Sequence, residues 1–71
     1  MRFQDKVKRL LRERKLTTTE FAEESGIDRA FFYRGQHRTP RKATIAAIAY
    51  YFGITAEELV EGTDAEDVWY A

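Results

Sequence analysis

No cysteine occurs among the 71 residues, and histidine and proline occur once each. The first absence excludes a disulfide, a thiolate zinc finger and a thiol nucleophile. With His37 alone, an ordinary zinc site cannot be assembled either. No run of about 18 apolar residues exists, so no membrane span is predicted. The cationic start lacks the apolar stretch of a secretory signal, and the expectation is a cytoplasmic protein. No paired general acid and base, metal cluster or activated nucleophile stands out, so the reading is of a non-enzyme with no cofactor and no evident small-molecule ligand. Net charge is also lacking: 12 Lys and Arg balance 12 Asp and Glu. A neutral chain argues at first against nucleic acid, whose binders usually show a basic footprint.

The distribution of charge reverses that argument. Residues 1–15 hold seven Lys and Arg against Asp5 and Glu13, and residues 28–42 hold Arg29, Arg34, Arg38, Arg41 and Lys42 against Asp28. The rest is acidic: Glu20, Glu23 and Glu24 in the middle, then six carboxylates and no cation after Lys42. Such asymmetry is what a binder with one basic face shows.

An apolar fraction of 44% suffices for one small core. The pattern predicts helices and no strands. Phe3, Val7, Leu10 and Leu11 form one buried stripe on a first helix over about 3–14, flanked on one side by Arg2, Lys6 and Arg9. A second helix over 18–25 opens with a capping box, Thr17 and Glu20. Gly26 can take the left-handed conformation that stops it, and Ile27 can plug the corner. Asp28 can cap a third helix over 29–34. A fourth helix over 42–52 turns Ile45, Ile48, Ala49 and Phe52 inward and ends at Gly53. A fifth opens with a second box, Thr55 to Glu58. A third box, Thr63 to Glu66, precedes Val68, Trp69 and Tyr70 and leaves room for a short sixth helix.

A helix, a tight glycine turn and a second helix with Arg at its start is the layout of a helix-turn-helix. Residues 17–35 resemble the Cro/CI type, with Ala22, Gly26, Ile27 and Phe32 in the small and buried positions. The resemblance extends over about 3–60, because Pro40, Thr44, Ile45, Ile48, Ala49, Phe52, Gly53, Ile54 and Leu59 look like the family's fourth and fifth helices. It departs from the family at Thr18, where Gln is usual, at Phe31, where Ser or Thr is usual, and in a shorter interval before Pro40. The implied fold is all-α, a compact bundle of five short helices of the lambda-repressor-like type. The domain is expected over residues 1–61, with 62–71 as an acidic aromatic tail.

By resemblance, Arg29, Ala30 and Arg34 meet base edges in the major groove, where Arg suits guanine and Ala a thymine methyl. Phe32 fits a buried position, which turns Phe31 outward, toward thymine methyls, a partner subunit or the tail. Thr18 and Thr19 crowd a helix start that suits phosphate, Thr18 being the better candidate. Arg38, Arg41 and Lys42, beside His37 and Thr39, are candidates for further phosphate contacts that position without reading sequence. Trp69 and Tyr70 either pack on their own domain or form a dimer contact. The implied function is a sequence-specific, repressor-like DNA-binding regulator acting as a homodimer on double-stranded DNA. The competing reading is a protein-interaction module, an antitoxin or anti-repressor, with little DNA affinity.

Overall fold

Phe3, Val7 and Leu11 recur every fourth residue, and all three are buried to within 1%. They form the inner stripe of α1 (Phe3–Glu13). The computed structural model describes residues 1–32 and 40–71. Beyond α1 it contains α2 (Thr18–Ser25), a 3-10 turn (Arg29–Phe32), α3 (Lys42–Phe52), α4 (Ala56–Val60) and α5 (Glu66–Trp69). The fold is all-helical, as expected, and α5 is the sixth helical segment. Tyr33, Arg34 and Gly35, and with them the end of the predicted third helix, lie outside the described residues. So do Gln36, His37, Arg38 and Thr39.

Local chemistry sets the boundaries. α1 closes in a Schellman arrangement: Leu16 donates to the Leu11 carbonyl at 2.9 Å and Lys15 to that of Arg12 at 3.1 Å. Lys15 occupies the left-handed position, φ 57°, that glycine usually takes. At the start of α2, Thr17 Oγ1 accepts from the Glu20 amide at 3.0 Å, and Glu20 Oε1 accepts from the Thr17 amide at 3.3 Å. Gly26, φ 78°, ends α2, and Gly53, φ 70°, ends α3. Thr55 Oγ1 accepts from the Glu58 amide at 3.1 Å at the start of α4.

The core gathers around Phe21, which is fully buried. Its ring meets the edges of Phe32 and Tyr51, with centroids 5.7 and 5.0 Å away, and stacks with Phe52 at 6.0 Å. Ile45 and Ile48 of α3 and Leu59 and Val60 of α4 complete it.

Tyr51 also donates its phenolic hydrogen to Glu24 Oε1, tying α3 to α2. That bond first, and burial second, push the phenol up from 10.0 to about 12. The folded value is the raised one, so the stabilisation is whole below about pH 10 and is lost as pH rises through about 12. Glu24→Ala should bring Tyr51 back toward ordinary phenol titration, with burial retaining part of the rise. The check is phenolate absorbance against pH, with the Tyr51→Phe curve subtracted to isolate this ring. A wild-type Tyr51 that ionises near the ordinary 10.0 would show that the bond is not formed.

The C-terminal segment is part of the body. Thr63 is buried, donates to the Val60 carbonyl at 2.7 Å and accepts from the Ala65 amide at 3.1 Å. The expected Thr63–Glu66 capping box is therefore corrected: the hydroxyl turns inward and Ala65 sits at the N-cap of α5. Ala65 is fully buried, and Val68 and Trp69 pack against the core. Trp69 Nε1 donates to Glu57 Oε2 at 2.7 Å, while Tyr70 stays 62% exposed. α1 has no cap from its own Arg2 side chain. Instead Asp64 Oδ1 accepts from the Phe3 amide at 3.0 Å, and the Asp64 amide donates to the Met1 carbonyl at 3.0 Å.

Candidate nucleic-acid interface

The left-handed Gly26 turns the chain sharply after α2, and two side chains fix the backbone of residues 27–30. Ser25 Oγ accepts from the Ile27 amide at 3.2 Å, and Asp28 Oδ1 accepts from the Ala30 amide at 2.9 Å. Ile27 is half-buried and packs on the core, filling the corner as expected. Between α2 and the 3-10 turn lies an open cleft of about 490 Å³ lined by Thr19, Ala22, Glu23, Gly26, Ile27, Asp28 and Arg29. Thr19 and Arg29, the sequence candidates for phosphate and base, are both exposed and share this cleft. Thr18 is half-buried, so Thr19 is the more accessible of the two hydroxyls. Helix-start amides point out of the first turn unpaired, and the capping pair of Thr17 and Glu20 engages the amides of those two residues. Ala30 is half-buried.

The outward-facing Phe31 is corrected. Its ring is half-buried, edge-on to Phe3 at 5.9 Å and to Phe32 at 5.0 Å. A 3-10 turn advances about 120° per residue, so consecutive side chains diverge toward different neighbours. Phe31 thus reaches α1 while Phe32 reaches Phe21 of α2. Both are anchored, and the ring of Phe31 holds the turn against the body.

Arg41 and Lys42 follow the buried Pro40 at the start of α3 and are exposed. Arg41 is the N-cap residue and makes no capping bond through its side chain. Lys42 Nζ donates to the Ala71 carbonyl at 3.1 Å, a tie that sequence reading missed. Arg34 and Arg38, the remaining site candidates, lie outside the described residues.

Lys6 leaves the basic flank of α1 altogether. Only 8% exposed, its ammonium donates to the carbonyls of Glu58 at 2.6 Å and Glu61 at 2.8 Å. There it satisfies the end of α4, as a cation at a helix C-terminus does. The signal in the sequence is its place next to Val7 and three residues after Phe3, at the edge of the apolar stripe.

The electrostatics of the cleft are mixed. From Thr17 to Phe32, Arg29 is the one cation against Glu20, Glu23, Glu24 and Asp28. Among the described residues, no three His, Cys, Asp or Glu side chains come together as metal ligands. No helix there is long and apolar enough to cross a membrane.

A family model described as a Cro/C1-type HTH DNA-binding domain matches residues 6–64. No curated protein and no solved structure matches the chain.

Proposed function

Because this chain belongs to the Cro/C1-type helix-turn-helix DNA-binding domain family, we propose that it is a sequence-specific, repressor-like regulator. The observation that supports this best is the placement of Thr19 and Arg29 on one cleft, held at a fixed angle by Gly26 and the anchored Phe31 and Phe32. Arg29 and Arg34 read base edges, with Ala30 beside them. Thr18, Thr19, Arg38, Arg41 and Lys42 hold phosphates and set the register. The part of Phe31 left to solvent limits it to a marginal contact at the base edge. The chain binds and does not catalyse, and it works as a pair of domains on a pseudo-palindromic duplex. A single module covers only about 600–1,000 Å² on DNA, so pairing supplies the rest of the affinity.

Selection of bound sequences from a random duplex pool tests the reading: one motif should be enriched, and its symmetry reports the pairing. On that motif, Arg29→Ala should cost about 1–3 kcal/mol and relax preference at particular base pairs. Arg41→Ala should weaken all duplexes alike. Titrations against the selected and single-mismatch duplexes separate the two, and a uniform loss for Arg29→Ala would move it to the phosphate class.

The excess of carboxylates around the cleft favours a second reading, a protein-interaction module with little DNA affinity. Heparin separates the two readings. A working basic face retains the protein until salt rises, and a module of the second kind passes straight through.

A further inference from the structure

α3 is apolar on two opposite faces. Ile45, Ile48, Ala49 and Phe52 face the core, and after Lys42 no charged residue follows before Gly53. Ala43, Ala46, Ala47 and Tyr50 fall at i, i+3, i+4 and i+7 on the opposite face. All four are exposed, Tyr50 to 89%. A helix with apolar residues on two opposite faces ordinarily has both covered. Isolated exposed apolar residues need no explanation, but a continuous stripe marks a contact surface. The stripe also forms one wall of a groove of about 660 Å³ lined by Glu24, Ser25, Ala46, Ala47, Tyr50 and Tyr51.

We propose that this face of α3 is the surface through which two copies of the chain pair. Three features select a second copy as the occupant. The alanines leave no side-chain bulk along the centre of the stripe, so a partner backbone can approach closely. Tyr50 supplies one large ring that can seat in the groove of the other copy beside its Ala46 and Ala47. The two flanks carry opposite charge: Lys42 lies one turn before Ala46 on one side, and Glu24 lines the groove on the other. A two-fold axis oblique to the helices sets each Lys42 against the other copy's Glu24, so the patch is complementary to itself. The Ala71 carbonyl accepts from one of the three N–H groups of the Lys42 ammonium, which leaves one donor for the partner and one for the phosphate assigned to it above, and Tyr51 engages only Oε1 of Glu24, which leaves Oε2 for the partner. An 11-residue helix is only about 16 Å long, so the contact is at the small end of specific interfaces and the dimer is weak and concentration-dependent.

This deepens the pairing assumed for DNA binding, yet it is tested with protein alone. Sedimentation equilibrium from low-micromolar to sub-millimolar concentration should show a species of twice the 8.3 kDa chain mass growing with concentration. Ala47→Arg and Tyr50→Glu should each remove that species while leaving the circular dichroism and melting temperature of the dilute protein unchanged. Lys8→Glu, at an exposed position on α1 away from the patch, should leave it in place. Lys42→Glu and Glu24→Lys should each weaken association at least tenfold, and the double variant should recover most of it. A monomer at every concentration, or a dimer indifferent to Ala47→Arg, overturns the proposal. Dimerisation without enrichment of any duplex would instead defeat the DNA reading and leave this one standing.

Discussion

Deleting residues 62–71 is expected to lower the melting temperature by roughly 15–30 °C, in a sample dilute enough to be monomeric. The segment looks dispensable in sequence, being short, acidic and beyond the helix-turn-helix, but the structure places its side chains inside the fold. Ala65 and Thr63 are buried, and Val68 and Trp69 pack against the core. Asp64 caps α1, and Thr63 satisfies the Val60 carbonyl. Burial of a large apolar side chain is worth up to about 1.5–3 kcal/mol, and a helix cap about 0.5–2. With the aromatics only part-buried, roughly 3–5 kcal/mol goes with the segment. At about 0.05–0.15 kcal/mol per residue, that is a large share of what holds a domain of this length together. Differential scanning calorimetry of the intact and shortened chains checks it. An unchanged transition would mean that the segment is a passenger. Trp69→Ala and Asp64→Ala divide the effect between packing and capping, each with a smaller loss.

Affinity for the selected duplex should fall roughly 10²–10³-fold per subunit when monovalent salt rises fourfold. The basic candidates, Arg29, Arg34, Arg38, Arg41 and Lys42, suggest roughly 4–6 contacts per subunit, and each such contact contributes a log–log slope near −0.9 through released counterions, to which the neutral Thr18 and Thr19 add nothing. Cations that hold the protein together add nothing to that slope. Lys6 is one, its ammonium being committed to the α4 carbonyls. Lys6→Gln should therefore leave the slope unchanged, whereas Arg41→Gln should reduce it by about 1. A slope near zero in the intact protein would end the DNA-binding reading.

Much of this fold is legible in the sequence because its punctuation is local. The Thr17–Glu20 pair and the glycines at 26 and 53 each act within a few residues of the backbone they terminate. Those boundaries follow from chemistry that needs no knowledge of the rest of the chain. Phe31 departs from expectation because burying Phe32 on Phe21 does not turn its neighbour to solvent: the 3-10 turn is flanked by α1 as well as α2, and Phe31 meets Phe3 of α1. Lys6, Asp64 and the bond between Tyr51 and Glu24 are invisible in the sequence for another reason. Their partners lie 27 to 61 residues away, and only packing brings them together. Thr63 resembles a cap on local pattern, yet the burial of its surroundings turns the hydroxyl toward Val60. For the candidate site, the acidity of the segment is readable in the sequence, while the placing of Glu23 and Asp28 on the same cleft as Thr19 and Arg29 becomes apparent only in three dimensions.

The cap on α1 comes from Asp64, 61 residues downstream of the amide it satisfies. During synthesis the chain grows at about 5–20 residues per second, so α1 leaves the ribosome several seconds before its own cap is made. An isolated helix of 11 residues is marginal in water, and until then α1 has neither that cap nor α4 to lie against. Stable docking of α1 consequently waits until the chain through residue 64 has emerged. Arrested through a C-terminal extension too short to bring residue 64 out of the ribosome, the chain should be digested freely by protease, and with a longer extension it should be a resistant domain.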